Sequence, residues 1–538
     1  MLTRLFPELL SYIMVLAQES IADRVIEEDD SDTELLPLQP FEIAISHVNS
    51  SIRSTALMTA LLWSSIHVKT STQSEMVIAD RTATYLARSG GHLLDVRIET
   101  DKPTPTSGRL LYQAMRLIAS ESLRWRKLTI IAEHAGITDV IACIRERLLA
   151  GRGGLTPKLE FLSISVDYSE AGFASIQREN EDSLQVVGEG VPQVNEHMHR
   201  RVTFGQLPAL SFLRLRGLAI YLFQPELLHN LRTLHLDQTK AIPLSFSFLG
   251  SIMAACPALE NLSIYGDIVM PAGGGAYDGD AVMQAPMSIL GGGRIQDSYH
   301  QASHTGSVRN NAARKAKQVV DKIITLPELR SLRVCGITGS VFKVLLSRLD
   351  APKLLSFSVK DVQEHDLDAL WDDPFTANRR EGTRGQRIGA CSSTSRFTQI
   401  RSLTINNSEL SQSIYHRLFQ LFPRIVEFAS YSSMDLDMAP KLLADGAAGV
   451  PWPQLRTLTF IFDTDLYTDD PVLEEILRDR RDVGHPINRL RVGVTKLDEE
   501  DVQDTEEQRG IVVMESLRDI DTWPTHRRYQ DVDDILFY

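Results

Sequence analysis

Leu326-Pro327-Glu328-Leu329-Arg330-Ser331-Leu332-Arg333-Val334-Cys335 holds the motif that decides the fold: one apolar residue, two of any kind, then two apolar residues separated by one. Leu332 and Val334 alternate as inward side chains of a short β-strand, and Leu329 packs the turn leading into it. The same spacing recurs along the chain. Clear copies begin at Leu159, Leu210, Leu231, Leu259, Leu354, Ile400 and Leu455, weaker ones at Leu93, Trp125, Ile425 and Ile487, and several follow an apolar residue and Pro. Between copies lie apolar-faced helical segments, Val341 to Leu349 and Ile414 to Phe422 among them. One strand-and-helix unit cannot bury its apolar face alone, whereas a stack of them can. The pattern predicts an α/β fold, an irregular leucine-rich-repeat solenoid over residues 85–494.

Successive copies are 21 to 70 residues apart, so the spacing is uneven. Two of the long intervals hold evident insertions. The first, near 269–320, is rich in Gly and Ala and reads as a flexible loop. The second, 372–395, carries Arg379, Arg380, Arg384 and Arg387 among small polar residues and reads as a solvated loop, with an anion- or partner-binding patch as the other reading.

The chain has 538 residues, 43% apolar and 23% charged, which excludes disorder throughout. Its net charge of −14 repels a nucleic-acid backbone, so general nucleic-acid binding is not expected. No apolar run is long enough for a membrane span. Residues 1–17 have some features of a secretory signal, but Pro7 and Glu8 interrupt the apolar stretch. Cys143, Cys256, Cys335 and Cys391 are widely spaced, suggesting neither a disulfide framework nor a zinc site and fitting a reducing compartment, cytoplasm or nucleus.

No metalloprotease, nucleophile-elbow, phosphate-loop or dinucleotide-binding motif occurs in its required context. His197 and His199 form a pair to which no third ligand is spaced. No enzyme and no cofactor is expected.

Residues 1–68 have a different texture: two apolar helical segments flanking an acidic loop, 21–39. The first begins at Pro7, whose missing N–H costs nothing at a helix start, and puts Leu9, Ile13 and Leu16 on one face. The second, read as a continuous helix from Ile45 to Leu57, carries Val48, Ile52 and Thr55 to Ala56 as its stripe. Residues 495–538 read as an acidic and polar C-terminal segment.

Leu5-Phe6-Pro7-Glu8-Leu9-Leu10 resembles the opening motif of F-box-like proteins, especially the large fungal set in which a degenerate F-box precedes irregular leucine-rich repeats. Ser46-His47-Val48, Arg53, Ala56-Leu57 and Leu62-Trp63-Ser64-Ser65-Ile66 resemble its second half. Tyr85 to Gly90 and Arg124-Trp125-Arg126 are similar to downstream segments of that set. Asn49, Ile52 and Ala60 depart from its usual Cys, Trp and Pro. The resemblance implies a small helical F-box-like module followed by the solenoid, together forming a non-enzymatic substrate receptor. The module would bind a Skp-type adaptor of a cullin ubiquitin ligase, and the solenoid a protein substrate. On that carry-over Pro7, Leu9, Leu10, Ile13, Val48 and Trp63 form or support the adaptor surface. Core packing within a small helical domain accounts for the same positions equally. The alternative function is a repeat scaffold whose degenerate F-box no longer binds the adaptor.

Overall fold

The computed structural model describes residues 5–25, 40–69, 75–100, 108–133, 156–167, 207–217, 219–220, 228–237, 244–266, 268–269, 323–337, 339–367, 397–406, 410–431, 450–462, 471–494 and 512–516. Nearly all of both expected insertions, the His197 and His199 pair, most of the acidic loop and most of the C-terminal segment lie outside these residues.

The fold is mixed α/β, dominated by one parallel sheet of 14 strands among the described residues. In chain order these are β1 (Ser65–Lys69), β2 (Leu94–Thr100), β3 (Trp125–Glu133), β4 (Phe161–Asp167), β5 (Phe212–Gly217), β6 (Thr233–Asp237), β7 (Asn261–Tyr265), β8 (Ser331–Cys335), β9 (Ser356–Lys360), β10 (Ser402–Asn406), β11 (Glu427–Tyr431), β12 (Thr457–Phe462), β13 (Arg489–Val494) and β14 (Val512–Ser516). Each pairs with the strands before and after it, so spatial order equals sequence order. The helices are α1 (Pro7–Val25), α2 (Phe41–Ser46), α3 (Ser50–Met58), α4 (Glu75–Arg88), α5 (Gly108–Ser120), α6 (Phe246–Ala254), α7 (Gly339–Arg348), α8 (Glu364–Leu367), α9 (Gln412–Leu421) and α10 (Pro471–Asp482).

Every sequence copy coincides with a strand, and the register explains the motif. Ile66, Val96, Leu128, Leu162, Leu213, Leu234, Leu262, Leu332, Phe357, Leu403, Phe428, Leu458 and Leu490 stand opposite one another in successive strands. All are buried and belong to one continuous core. The turns repeat as well. The N–H groups of Leu210, Leu259, Leu329, Leu354 and Leu455 donate to the carbonyl three residues back, across Pro208, Pro257, Pro327, Pro352 and Pro453. Pro supplies the fixed φ that the second position of such a turn needs. After β7 and β8 the chain turns through Gly266 and Gly336 in the left-handed region. After β9 the same place is taken by Asp361 at φ 53°, a residue type that tolerates it better than most.

The ladder outruns its predicted limits at both ends. It begins inside the stretch read as the helical module, because Trp63-x-x-Ile66-x-Val68 is itself a copy of the motif, and it continues into the C-terminal segment with β14. Trp63 and Trp125 occupy equivalent places. Each indole N–H donates to the carbonyl seven residues earlier, Trp63 to Ala56 at 2.9 Å and Trp125 to Ile118 at 3.2 Å, so each ties the end of a helix to the strand that follows.

Three expectations about the N-terminal helices are corrected. The first helix runs to Val25, into the expected loop at 21–39. The second segment is two helices, because Asn49 caps α3 by accepting the Ile52 N–H at 2.9 Å and breaks the run before it. Val48 therefore sits in the turn between them, 62% exposed, instead of joining the apolar stripe with Ile52 and Ala56.

At the far end a guanidinium acts as a fastener. Buried Arg480 of α10 donates to the carbonyls of Pro451 (2.8 Å) and Trp452 (2.9 Å), holding the turn in which Trp452 adopts φ 44°. Burial and the neighbouring Arg456 push its pKa down to about 10.

Removing one rung from the core column should be costly. Leu332→Ala is expected to destabilise the chain by about 2–5 kcal/mol, while Leu355→Ala, at an exposed position just before β9 in the next unit, should stay within about 0.5 kcal/mol. Urea unfolding followed by circular dichroism checks both.

Candidate interaction surfaces

Two surfaces stand out. The first is on the N-terminal helices. Inward-facing Leu10 and Met14 of α1 are buried, whereas Leu9, Tyr12, Ile13 and Leu16 on its other side are exposed. A helix apolar on every side is ordinarily enclosed on every side. Phe6, Val48, Leu57, Met58 and Leu61 are exposed too, so large apolar side chains open to solvent are concentrated in this region. Contiguous exposed apolar surface marks interaction sites in folded proteins.

The six expected adaptor residues fall into two groups. Pro7, Leu9, Ile13 and Val48 are exposed. Leu10 and Trp63 are buried, Trp63 with 1% of its surface accessible, so they can support that surface only from within. Sequence reasoning passed over Phe6, Tyr12, Leu57, Met58 and Leu61. Helical spacing from Leu9 was the available signal for Tyr12.

A polar joint fixes these helices to the ladder. Buried Glu42 of α2 accepts hydrogen bonds from the Tyr85 hydroxyl of α4 and from Gln18 Nε2 of α1, the latter at 3.0 Å. Gln18 Nε2 also donates to the Leu62 carbonyl at 3.2 Å. Tyr85 meets the Trp63 ring edge to face at 5.2 Å, and Arg88 covers Trp63 at 4.2 Å. Burial and then the Glu42 charge push the Tyr85 hydroxyl well above its ordinary pKa, keeping it a neutral donor. A neutral donor is what a buried carboxylate needs when it is enclosed this way.

The second surface is the face of the sheet opposite the helices' core. Around β5 to β8 it is densely polar. Arg214 Nη2 and Arg216 Nε approach Asp237 Oδ2 at 3.7 and 3.6 Å. Burial, with the charges of Arg214, Arg333 and Arg216, holds His235 well below its usual pKa, so it is neutral. Arg214, Asp237, Ser263 and Ser331 are buried, so this part of the face is enclosed, unlike an open concave face.

The same face is open at β1 and β2. Glu99 is approached by Arg97 Nε (2.5 Å), His67 Nε2 (3.1 Å) and Lys69 Nζ (3.6 Å). Burial by itself would raise its pKa, but the His67 hydrogen bond and the Arg97 charge outweigh it and hold the carboxyl at about 2. Arg126 binds Asp95 through Nε (2.8 Å) and Nη2 (2.5 Å) beside the register shift between Leu94 and Asp95.

Among the described residues no cluster of His, Cys, Asp and Glu is placed to hold a metal ion, and no helix is long and apolar enough to cross a membrane. Cys256 and Cys335 are buried and free. Burial pushes the Cys256 thiol up to about 12, and burial with the Asp361 charge pushes Cys335 up as well, so neither carries thiolate at neutral pH. Comparison of the chain with protein-family models and with curated proteins finds no match.

The depressed Glu99 pKa gives a pH signature with a definite sign. Folded Glu99 titrates near 2 against an ordinary 4.5, so its ionised form adds stability above the unfolded value, and the contribution fades as pH falls through the interval between the two. The stability gap between the chain and Glu99→Gln should be on the order of 2 kcal/mol at pH 6 and shrink steadily below pH about 5. Urea midpoints across that range measure it, and a gap independent of pH would contradict the assignment.

Proposed function

We propose that this chain is the substrate-recognition subunit of a Skp-cullin-F-box type ubiquitin ligase. In this reading α1 to α3 form a degenerate F-box-like module, and the ladder is an irregular leucine-rich-repeat solenoid. The protein catalyses nothing itself. It works by binding alone, bringing a protein target to the ligase at high effective concentration. Its compartment is the cytoplasm, the nucleus or both.

The observation that carries the reading is the exposed apolar side of α1, with Leu9, Tyr12, Ile13 and Leu16 open to solvent, as is Val48 in the turn between α2 and α3. A Skp-type adaptor would cover this side, and Leu10, Met14 and Trp63 would hold it in shape from beneath. The strictly sequential ladder supports the second half of the reading, because a quasi-one-dimensional stack offers an extended surface to a protein partner. The open part of the polar face at β1 and β2 is the portion nearest the helices in sequence, which suits a receptor that must present a target close to the ligase.

The test is a pull-down of a Skp-type adaptor by the full-length chain, compared with a Leu9→Asp, Val48→Asp double variant. Both positions are exposed, so circular dichroism should be unchanged. Capture by the wild type and its loss in the variant is the expected result. Failure of a folded wild type to capture the adaptor would favour the scaffold alternative.

A further inference from the structure

Among the described residues the long parallel sheet ends at β1. In a parallel pair successive residues of one strand alternate between bonding to the neighbour and bonding away from it. The Asp95 N–H donates to the Ser64 carbonyl at 3.0 Å, and Ile66 and Val68 stand opposite Val96 and Ile98. This phase turns the backbone groups of Ser64, Ile66 and Val68 toward β2. Those of Ser65, His67 and Lys69 point the other way, and no other described residue bonds to them. The side chains of His67 and Lys69 are 44% and 45% exposed. Among the described residues the result is an unpaired strand edge, with Ser65 and His67 exposed and the inward side chains Ile66 and Val68 already buried.

Charge determines what this edge can accept. On the inner side Lys69 faces Glu99 of β2, and His67 reaches the same carboxylate. A strand arriving on the outer side meets two nitrogen-bearing side chains and, from β1 itself, no carboxylate. Opposite charges across adjacent strands stabilise pairing, while like charges oppose it. A second copy of β1 would set Lys69 and His67 against themselves, as edge lysines do in sheets that resist self-association. We infer that the edge Ser65–Lys69 is a strand-addition site for an extended acidic peptide segment of a partner protein, whose backbone bonds to Ser65, His67 and Lys69 while its carboxylates pair with His67 and Lys69. This mode of recognition takes affinity from main-chain bonds and specificity from alternate side chains. The site stands apart from the adaptor reading: it lies on the sheet edge, and adaptor binding can fail without affecting it.

The experiment uses the full-length chain and two capped hexapeptides, one alternating Glu with Val and one alternating Lys with Val, monitored by fluorescence anisotropy and by amide hydrogen exchange. The Glu peptide should bind and slow exchange at His67 and Lys69, and the Lys peptide should not bind. His67→Glu with Lys69→Glu should weaken the Glu peptide on the order of tenfold or more and let the Lys peptide bind. His67→Pro removes an outward N–H at an edge position where Pro is tolerated, and should abolish binding while leaving the circular dichroism spectrum unchanged. The inference is overturned if neither peptide binds, if the Glu peptide binds without slowing those amides, or if charge reversal changes nothing. Concentration-dependent protection of the same amides without peptide would assign the edge to a second copy and overturn it equally.

Discussion

Every other feature rests on the in-register stacking of short parallel strands. A five-residue strand offers two apolar side chains to the core, and burying each contributes about 1.5–3 kcal/mol, too little to offset the ordering of its own unit. Stability therefore belongs to the column and not to the rung. From Ile66 to Leu490 the side chains at the motif's second apolar position face one another strand after strand, and the insertions between units leave that register intact. The prolyl turn before many of the strands sets where each rung begins, so unequal intervals in the sequence still give equal steps in the sheet.

The same logic governs the ends, where a stack must stop. At the N-terminal end the solution is partial. Trp63 belongs to the first rung and also caps the helix before it, and the Glu42, Gln18 and Tyr85 hydrogen bonds bind α1 and α2 to that rung. The core is closed there, but among the described residues two features remain open: the outer side of α1 and the backbone edge of β1.

Much of the ladder was legible because its signal is local. Alternation of Leu332 and Val334 after Leu329 is read from ten residues, and the same arithmetic found twelve of the strands. The rung at Trp63 was missed because the segment also fits a helical-module motif, and β14 because its surroundings are strongly acidic. The helices were harder. In α1 Leu9 and Leu10 are chemically identical, and only the packing of α3 and the Ala60–Trp63 turn decides that Leu10 faces inward and Leu9 outward. In the second segment apolar spacing predicted one helix, yet the Asn49 side chain competes for the Ile52 N–H and restarts it. The enclosed middle of the polar face could not be read either, since Arg214 and Asp237 look like surface residues in any one-dimensional pattern.

Joined at Glu42 and Trp63, the N-terminal helices and the ladder should behave as one cooperative body, with the exposed apolar side held at a fixed place relative to the sheet. Hydrogen exchange by mass spectrometry on the full chain tests it most directly, comparing wild type with Glu42→Ala. Protection should fall together in α1 to α3 and in β1 to β3, because removing the carboxylate leaves the Tyr85 hydroxyl without its acceptor and the Gln18 amide with the Leu62 carbonyl alone. Loss of protection confined to the helices, with β1 to β3 unchanged, would show two separate bodies and contradict it.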